Sequence, residues 1–467
     1  MKTFRTAFIL LLVFVVLLAV VLFFEKKGQK DQARKDKAGQ LIDVASADIE
    51  RISLKKEDGT LTFQKDAQGT WRIIEPFEAG ADSTEVSSLA DTLAALRFER
   101  VVEAEPKDLA VYEIPKGEVS LWLKGQDKPL RIMTGLINPL DQTLFAKRED
   151  EARVVLLPST FKTTLEKKVF DFRQKDIFRF DTTQVARLKV KAKDTAWEAA
   201  RRDDAWYLES PVKALARKST VDALLDSLAN LRAKEFLAEA KAPEDLKKRG
   251  LEKPACEVEL ALPTANQTII FALGKDGDTM VATTSQSTKI VSFEGTLLTD
   301  LEKKVADLRE KKVVEFYSWE ADRVAITKDG FALAAVNEKV DEEEKWRLET
   351  AAKETADGTK VDDFVRKVEG LEAADFVDAP GDLGRYGLDK PSAEVVIRTK
   401  DSEGKTKEWT VQFGAEDKDK KQVVVRNPKF DYLFRVEAAV LEAFPKTAAD
   451  WLPPPPQTEE KKSEDKK

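Results

Sequence analysis

The sequence predicts an α+β fold, mainly antiparallel, in which an N-terminal transmembrane helix is followed by three tandem divergent modules, each a sheet with helices on one face. Three observations lead there. The phrase "DLGRYGLDKPSAEVVI", residues 382 to 397, repeats "DLKKRGLEKPACEVEL", residues 245 to 260, and a looser version, "DLAVYEIPKGEVSLWL", begins at Asp108. Short alternating runs such as "ERISLKKEDGTLTFQKDAQGTWRII" and "DRVAITKDGFALAAV" are broken by Asp-Gly or Gln-Gly pairs, as hairpins require. Each such set is followed by apolar residues at helical spacing.

The first element is the run from Ala7 to Phe24, "AFILLLVFVVLLAVVLFF", which is apolar throughout. At a rise of about 1.5 Å per residue it spans about 27 Å, enough to cross the hydrocarbon of a bilayer. It is long for a signal-peptide core and ends in "FFEKKGQK" without a small-x-small site, so residues 7–24 are expected to remain as an anchor after the short segment 1–6. Lys2 and Arg5 precede the run, whereas Lys26, Lys27, Lys30, Arg34, Lys35 and Lys37 follow it; the count of basic residues alone keeps the C-terminal side in the cytoplasm. Residues 25–48 are expected to form a charged tether that holds the first module off the membrane.

The modules are expected at 49–182, 183–318 and 319–452. Trp71, Trp206 and Trp346 mark equivalent positions in "GTWRIIEPF", "DAWYLESPV" and "EKWRLETAA". The repeated phrase follows at Asp108, Asp245 and Asp382, a spacing of 137 residues in both intervals. Between these landmarks lies a helix. Its stripe is Val86, Leu89, Leu93 and Leu96 in the first module, Val221, Leu224, Leu228 and Leu231 in the second, and Val361, Phe364, Val368 and Leu371 in the third. Thr84, Ser219 and Thr359 stand two residues before the first member, where a hydroxyl can accept a backbone N–H and start the helix.

The phrase itself reads as punctuation. Asp-Leu-x-x-x starts a short helical turn, Gly250 or Gly387 (after Tyr386) supplies the left-handed residue that stops it, and Pro254 or Pro391 prevents its resumption before the next strand. In the first module Glu113 replaces the glycine and two residues are missing before Pro115, so another conformation is expected there. A second amphipathic helix such as "STFKTTLEKKV" closes the module. Asp171, Asp307 and Asp450 recur where each module ends, which suggests a shared cap or a hydrogen bond between modules rather than catalysis. Residues 453–467, "PPPPQTEEKKSEDKK" preceded by Leu452, are a Pro-rich and charged tail too poor in apolar residues to pack.

Composition narrows the chemistry. The chain has 467 residues, 42% hydrophobic and 35% charged, so two to four domains with densely charged surfaces are expected. With 78 basic against 85 acidic residues the net charge is -7, which argues against nucleic acid as a partner. Histidine is absent, which removes the commonest general base and metal ligand and every Ser-His or Cys-His arrangement. Cys256 is the only cysteine, so no internal disulfide forms. Phosphate-loop, nucleophile-elbow and EF-hand patterns are missing. "GKDGDT", from Gly274, lacks the alternating ligands of a calcium loop and reads as a hairpin tip. "DEEE", from Asp341, reads as a solvated turn. No catalytic, cofactor-binding or metal-binding residues are therefore expected, and no cofactor.

The Trp-containing hairpin, the helix ending "LAALRFERVV", the single N-terminal span and above all "YGLDKP" at Tyr386 to Pro391 resemble the bacterial family called domain of unknown function 4340. The likeness covers nearly all of the chain after the apolar run. It implies a single-pass protein of the inner membrane with its globular part in the periplasm, opposite to what the basic-residue count suggests. It also implies ABC-type exporters or gliding-motility-like complexes, or other envelope proteins, as partners. The function expected is thus a non-catalytic, membrane-anchored scaffold or accessory subunit. The first alternative is a module binding an envelope glycan or lipid, with Trp71, Trp206 and Trp346 as stacking platforms if exposed. The second is a carboxylate-dependent hydrolase, which requires two acids facing each other across a cleft.

Overall fold

The computed structural model describes residues 39–340 and 343–454. Residues 1–38, with the anchor expected at 7–24, lie outside the described residues, as do Asp341 and Glu342 of the acidic run and the tail from residue 455. Among the described residues no helix is long and apolar enough to cross a membrane. The chain divides into two compact units, Met1–Asp176 and Ile177–Lys467.

In the first unit nine antiparallel strands form one sheet. They are β1 (Ile49–Lys56), β2 (Gly59–Lys65), β3 (Trp71–Glu75), β4 (Ala79–Gly80), β5 (Arg100–Glu103), β6 (Gly117–Leu123), β7 (Leu130–Ile137), β8 (Leu144–Arg148) and β9 (Val154–Leu157). Their order is β4-β3-β2-β1-β6-β7-β8-β9-β5. The chain meanders from β1 to one edge, then must reach the far edge at β5 before returning to the centre at β6. Helix α1 (Ser83–Ala94) makes the first crossing, and its buried Val86, Leu89, Ala90, Leu93 and Ala94 join one core with Ile52, Leu54, Phe63, Val119 and Leu121 of the sheet. Helices α2 (Ser159–Glu166) and α3 (Val169–Phe172) close the module, and Phe161 and Phe172 complete the same core. Each fully buried aliphatic or aromatic side chain contributes roughly 1.5–3 kcal/mol, so the helix-covered face is the main source of stability.

The second unit holds two more sheets. One contains β10 (Arg187–Ala192), β11 (Ala196–Arg202), β12 (Ala205–Ser210), β13 (Ala214–Leu215), β14 (Glu235–Ala238), β15 (Cys256–Leu262), β16 (Gln267–Asp276), β17 (Thr279–Thr284) and β18 (Ile290–Phe293). The other contains β19 (Ala321–Lys328), β20 (Phe331–Val340), β21 (Glu343–Leu348), β22 (Asp375–Val377), β23 (Ala393–Lys400), β24 (Thr406–Asp417), β25 (Gln422–Arg426) and β26 (Leu433–Glu437). Their orders, β13-β12-β11-β10-β15-β16-β17-β18-β14 and β21-β20-β19-β23-β24-β25-β26-β22, repeat that of the first sheet, the last without the two-residue edge strand. Helices α4 (Lys218–Ala229) and α8 (Gly358–Glu369) occupy the place of α1, with α5 (Pro243–Lys248), α6 (Leu297–Leu301) and α7 (Val305–Leu308) between them. One continuous core runs through the second and third modules, from Val185 to Trp451.

Several local expectations need correction. The stripe residues Leu96, Leu231 and Leu371 lie just past their helices, where each carbonyl accepts a hydrogen bond from the segment entering the module: Leu41 N at 2.8 Å, Ile177 N at 3.1 Å and Val313 N at 3.0 Å. The three entering segments are equivalent. Residues 39–48 are therefore not tether: Leu41 and Ile42 are 2% and 0% exposed in the first core, and Arg148 Nη1 holds the Leu41 carbonyl at 3.0 Å.

The helices are not started by hydroxyls. Asp82 accepts from the backbone N–H of Thr84 and Glu85 at 3.1 and 3.3 Å, and Asp357 from those of Thr359 and Lys360 at 3.1 and 3.4 Å. A carboxylate caps better because it also meets the positive end of the helix dipole. In the second module Arg217 stands at this position without a side-chain cap.

Glu113 also departs from expectation. Its φ of 52° is left-handed like the 67° of Gly250 and Gly387, so all three versions of the phrase stop in the same conformation. Glutamate tolerates that region at some strain. "GKDGDT" is a hairpin tip, with Gly277 left-handed between β16 and β17.

Candidate functional site

The recurring landmarks are placed by packing. Trp71, Trp206 and Trp346 are all buried, on β3, β12 and β21. Trp206 Nε1 donates to Asp222 at 3.0 Å and Trp346 Nε1 to Asp362 at 2.8 Å, both on the covering helix, while Lys65 Nζ sits 5.0 Å from the Trp71 ring. Pro115, Pro254 and Pro391 each stand two residues before the central strand β6, β15 or β23. The phrase carries the chain back from the far edge and crosses a strand end where a glycine is needed. A Cβ on Gly135 would overlap the Tyr112 carbonyl, and one on Gly414 the Tyr386 carbonyl; on Gly274 the nearest atom, Gly250 O, would be 3.3 Å away.

Asp171 and Asp450 cap the closing turns, accepting from Lys168 N at 2.8 Å and from Lys446 N and Thr447 N at 2.7 and 2.9 Å. Asp307 lies in the first turn of α7. Two residues past it, Arg309 reaches from the second module into the third: its guanidinium stands 3.7 Å from the Phe376 ring centroid and 4.6 Å from that of Tyr432, and Nη1 meets Asp378 at 2.8 Å. The position equivalent to Arg309 in the third module is Leu452.

One concavity lies in the first module, at the end of the sheet where β1, β6 and β7 meet α2. It measures about 400 Å³. Leu54, Val119, Ile137, Leu144 and Leu165 supply apolar wall, and Lys55, Lys56, Lys116, Lys162 and Lys168 surround it with Glu57, Asp58, Glu118 and Glu166. Most of these acids are engaged: Glu57 by Lys116 at 3.7 Å, Glu118 by Arg131 at 3.6 Å and Glu166 by Lys162 at 3.6 Å. Among the described residues Lys55, Lys56 and Lys168 have no carboxylate within ion-pair distance. Lys56 Nζ donates to the Lys167 carbonyl at 2.6 Å, and burial holds its pKa below the usual value.

Register explains why the space is open. Gly117 faces Thr134 across β6 and β7, whereas the equivalent pairs are Cys256–Leu273 in the second module and Ala393–Phe413 in the third. All four of those side chains are buried. In the second module Ala192 and Leu298 replace Lys56 and Lys162, and Leu298 is buried too. In the third, Lys328 repeats the tie of Lys56 by donating to the Leu441 carbonyl at 2.7 Å, but the cleft beside it is polar, with Glu416, Glu437, Glu442, Lys420 and Lys421 in its walls. Nothing in the sequence flags this cavity, since small residues at Gly117 and Thr134 become conspicuous only when paired.

One exposed aromatic pair stands apart. Tyr317 and Trp319, at the entrance to the third module, stack with centroids 4.4 Å apart and planes at 15°, and Trp319 is 76% exposed. Their equivalents in the second module are Asp181 and Thr183. Carboxylates whose pKa departs from the ordinary value are lowered, as the Thr143 hydroxyl lowers Asp141, the Thr183 hydroxyl Asp181 and the Thr296 hydroxyl Asp300.

The sequence profile of the family described as "Domain of unknown function (DUF4340)" matches the chain three times, over residues 71–207, 206–381 and 346–454. The matches begin at the three landmark tryptophans. No curated protein matches the chain. Two solved structures from Pseudomonas aeruginosa align with it, a DNA polymerase sliding clamp with ligand and the DNA polymerase III subunit beta. Each has 9% identity and a TM-score of 0.16; the first alignment covers 86% of this chain and 95% of that one, the second 85% and 94%. At that TM-score neither carries an argument about fold or function.

Proposed function

The chain belongs to the DUF4340 family, and from that premise we propose that it is a non-catalytic, membrane-anchored envelope protein, a scaffold or accessory subunit of an ABC-type export or gliding-motility-like complex. Residues 7–24 cross the bacterial inner membrane once, and the modules stand in the periplasm. The observation that carries this reading is the division of labour among aromatic residues. The recurring tryptophans are used up inside the modules, while the one stacked pair that the described residues leave in solvent, Tyr317 with Trp319, occurs in a single module. A preorganised aromatic pair loses little entropy on docking and is the kind of group that anchors protein interfaces. The anchor raises the local concentration of this surface near membrane partners.

The test is a pulldown in mild detergent of the full chain and of Tyr317→Ser/Trp319→Ser. Transporter subunits should be recovered with the unaltered chain and lost with the double variant. Recovery of the protein alone, under conditions that keep known membrane complexes together, overturns the proposal. A reporter fused at the C-terminus and active only outside the cytoplasm checks the orientation.

A further inference from the structure

The cavity of the first module differs from its counterparts in ways that folding does not require. An unfilled apolar void lowers stability. The second module fills the place with Cys256 and Leu273, and the third, which sets Ala393 against Phe413, has a polar cleft beside Lys328 instead of an apolar slot. The first module instead opposes Gly117 to Thr134, a pair too small to close it, and a Cβ on Gly117 would press on Thr134 Oγ1 and Lys55 O, at 2.7 and 3.1 Å. Lys162 stands where buried Leu298 stands in the second module. The loop between the wall residues Ile137 and Leu144 presents Leu140 at 93% exposure.

Charge at the rim is unbalanced once pairs are discounted. Glu57, Glu118 and Glu166 are met by Lys116, Arg131 and Lys162, which leaves Lys55, Lys56 and Lys168 against Asp58 and Asp171, both of which act on Lys56. The Lys167 carbonyl uses one of the three donors of Lys56 Nζ, so others remain for a ligand oxygen. An apolar slot of this size with a few convergent polar groups suits a small ligand that has an apolar body and one charged end.

We propose that this cavity binds a single acyl chain carrying an anionic head, the chain lying between Leu54, Val119, Ile137, Leu144 and Leu165 and the carboxylate or phosphate meeting Lys56. The site is independent of the aromatic pair on the third module. A free fatty acid and a lysophospholipid share this chemistry.

The full chain in phosphatidylcholine nanodiscs is irradiated with a diazirine-bearing dodecanoic acid and, separately, with a lysophosphatidate carrying the same chain, and adducts are mapped by mass spectrometry. At least one probe should concentrate its adducts in peptides covering residues 117–137 and 162–166. Dodecanoate should compete, and dodecyltrimethylammonium of the same chain length should not. Lys56→Ala/Lys162→Leu, which installs the residues of the second module, should reduce that labelling at least tenfold. Leu165→Trp, which fills the slot and keeps the charges, should do the same. Labelling by the fatty acid alone assigns a free acid, by the lysophosphatidate alone a lipid-derived ligand, and by both a site that accepts either anion. Adducts no denser there than elsewhere, equal competition by the cation, or full labelling in a variant with a native near-UV circular dichroism spectrum would overturn the proposal. If the double variant fails to fold, Leu165→Trp and the competition decide.

Discussion

The Arg309 guanidinium lies 3.7 Å from the centre of the Phe376 ring, so a side chain from the end of one module is clamped in the aromatic wall of the next. Its side chain is 4% exposed, whereas that of its ionic partner Asp378 is 43% exposed. Desolvated cation–π contacts are worth about 2 kcal/mol or more and exposed ion pairs about 1 or less. The ring contact should therefore dominate.

Arg309→Ala is expected to lower the stability of the second unit by about 3 kcal/mol, and Arg309→Lys by about 1–2, since an ammonium cannot stack as a planar fork does. Asp378→Ala should cost under about 1 kcal/mol. Urea unfolding of the three variants checks the order; equal losses for Arg309→Ala and Asp378→Ala would place the energy in the ion pair instead.

A gain of stability is expected at Arg217. Its backbone, at φ −69° and ψ 106°, matches those of Asp82 at −71° and 102° and Asp357 at −73° and 101°, yet it offers no acceptor to the helix. Arg217→Asp should stabilise by about 1 kcal/mol, and Asp357→Ala should destabilise by a similar amount. Thermal melts read both. A fall in melting temperature for Arg217→Asp would mean that the arginine does something more valuable there.

The glycines beneath the repeated phrase should differ sharply. At Gly414 an added methyl collides with the Tyr386 carbonyl, a backbone atom that cannot swing aside, whereas at Gly274 it meets Gly250 O at a tight but possible 3.3 Å. Gly414→Ala is expected to cost about 3 kcal/mol and Gly274→Ala about 1 or less. Paired denaturation curves would show it.

Cys256 gives a pH signature. Burial first, and then Glu302 and Glu257, push its thiol from 9.0 up to about 12. Between those values the unfolded chain has lost the thiol proton and the native chain has kept it, so stability falls as pH rises through the window, by about 1.4 kcal/mol per pH unit from this group. Cys256→Ala, the residue of the third module at that place, should flatten the slope. In the native protein the thiol should resist aromatic disulfide reagents at pH 8 and react fully in guanidinium.

What the sequence determined by itself was whatever short-range chemistry encodes: the triplicate pattern, hairpins at Asp-Gly pairs, helices from the stripes that begin at Val86, Val221 and Val361, and the stop at Gly250 and Gly387. These signals depend on neighbours along the chain, and neighbours along the chain are what a sequence displays. The tertiary structure decided the rest. Leu41 and Ile42 look like the end of a charged tether until Leu96 accepts their backbone, and Glu113 looks unfit for a left-handed stop until the returning chain must seat over Gly135. Gly117 and Thr134 are unremarkable apart and form an open slot only because register sets them face to face. Side chains brought together by a sheet from distant segments share space, and that space is a property of the pair that neither residue carries alone.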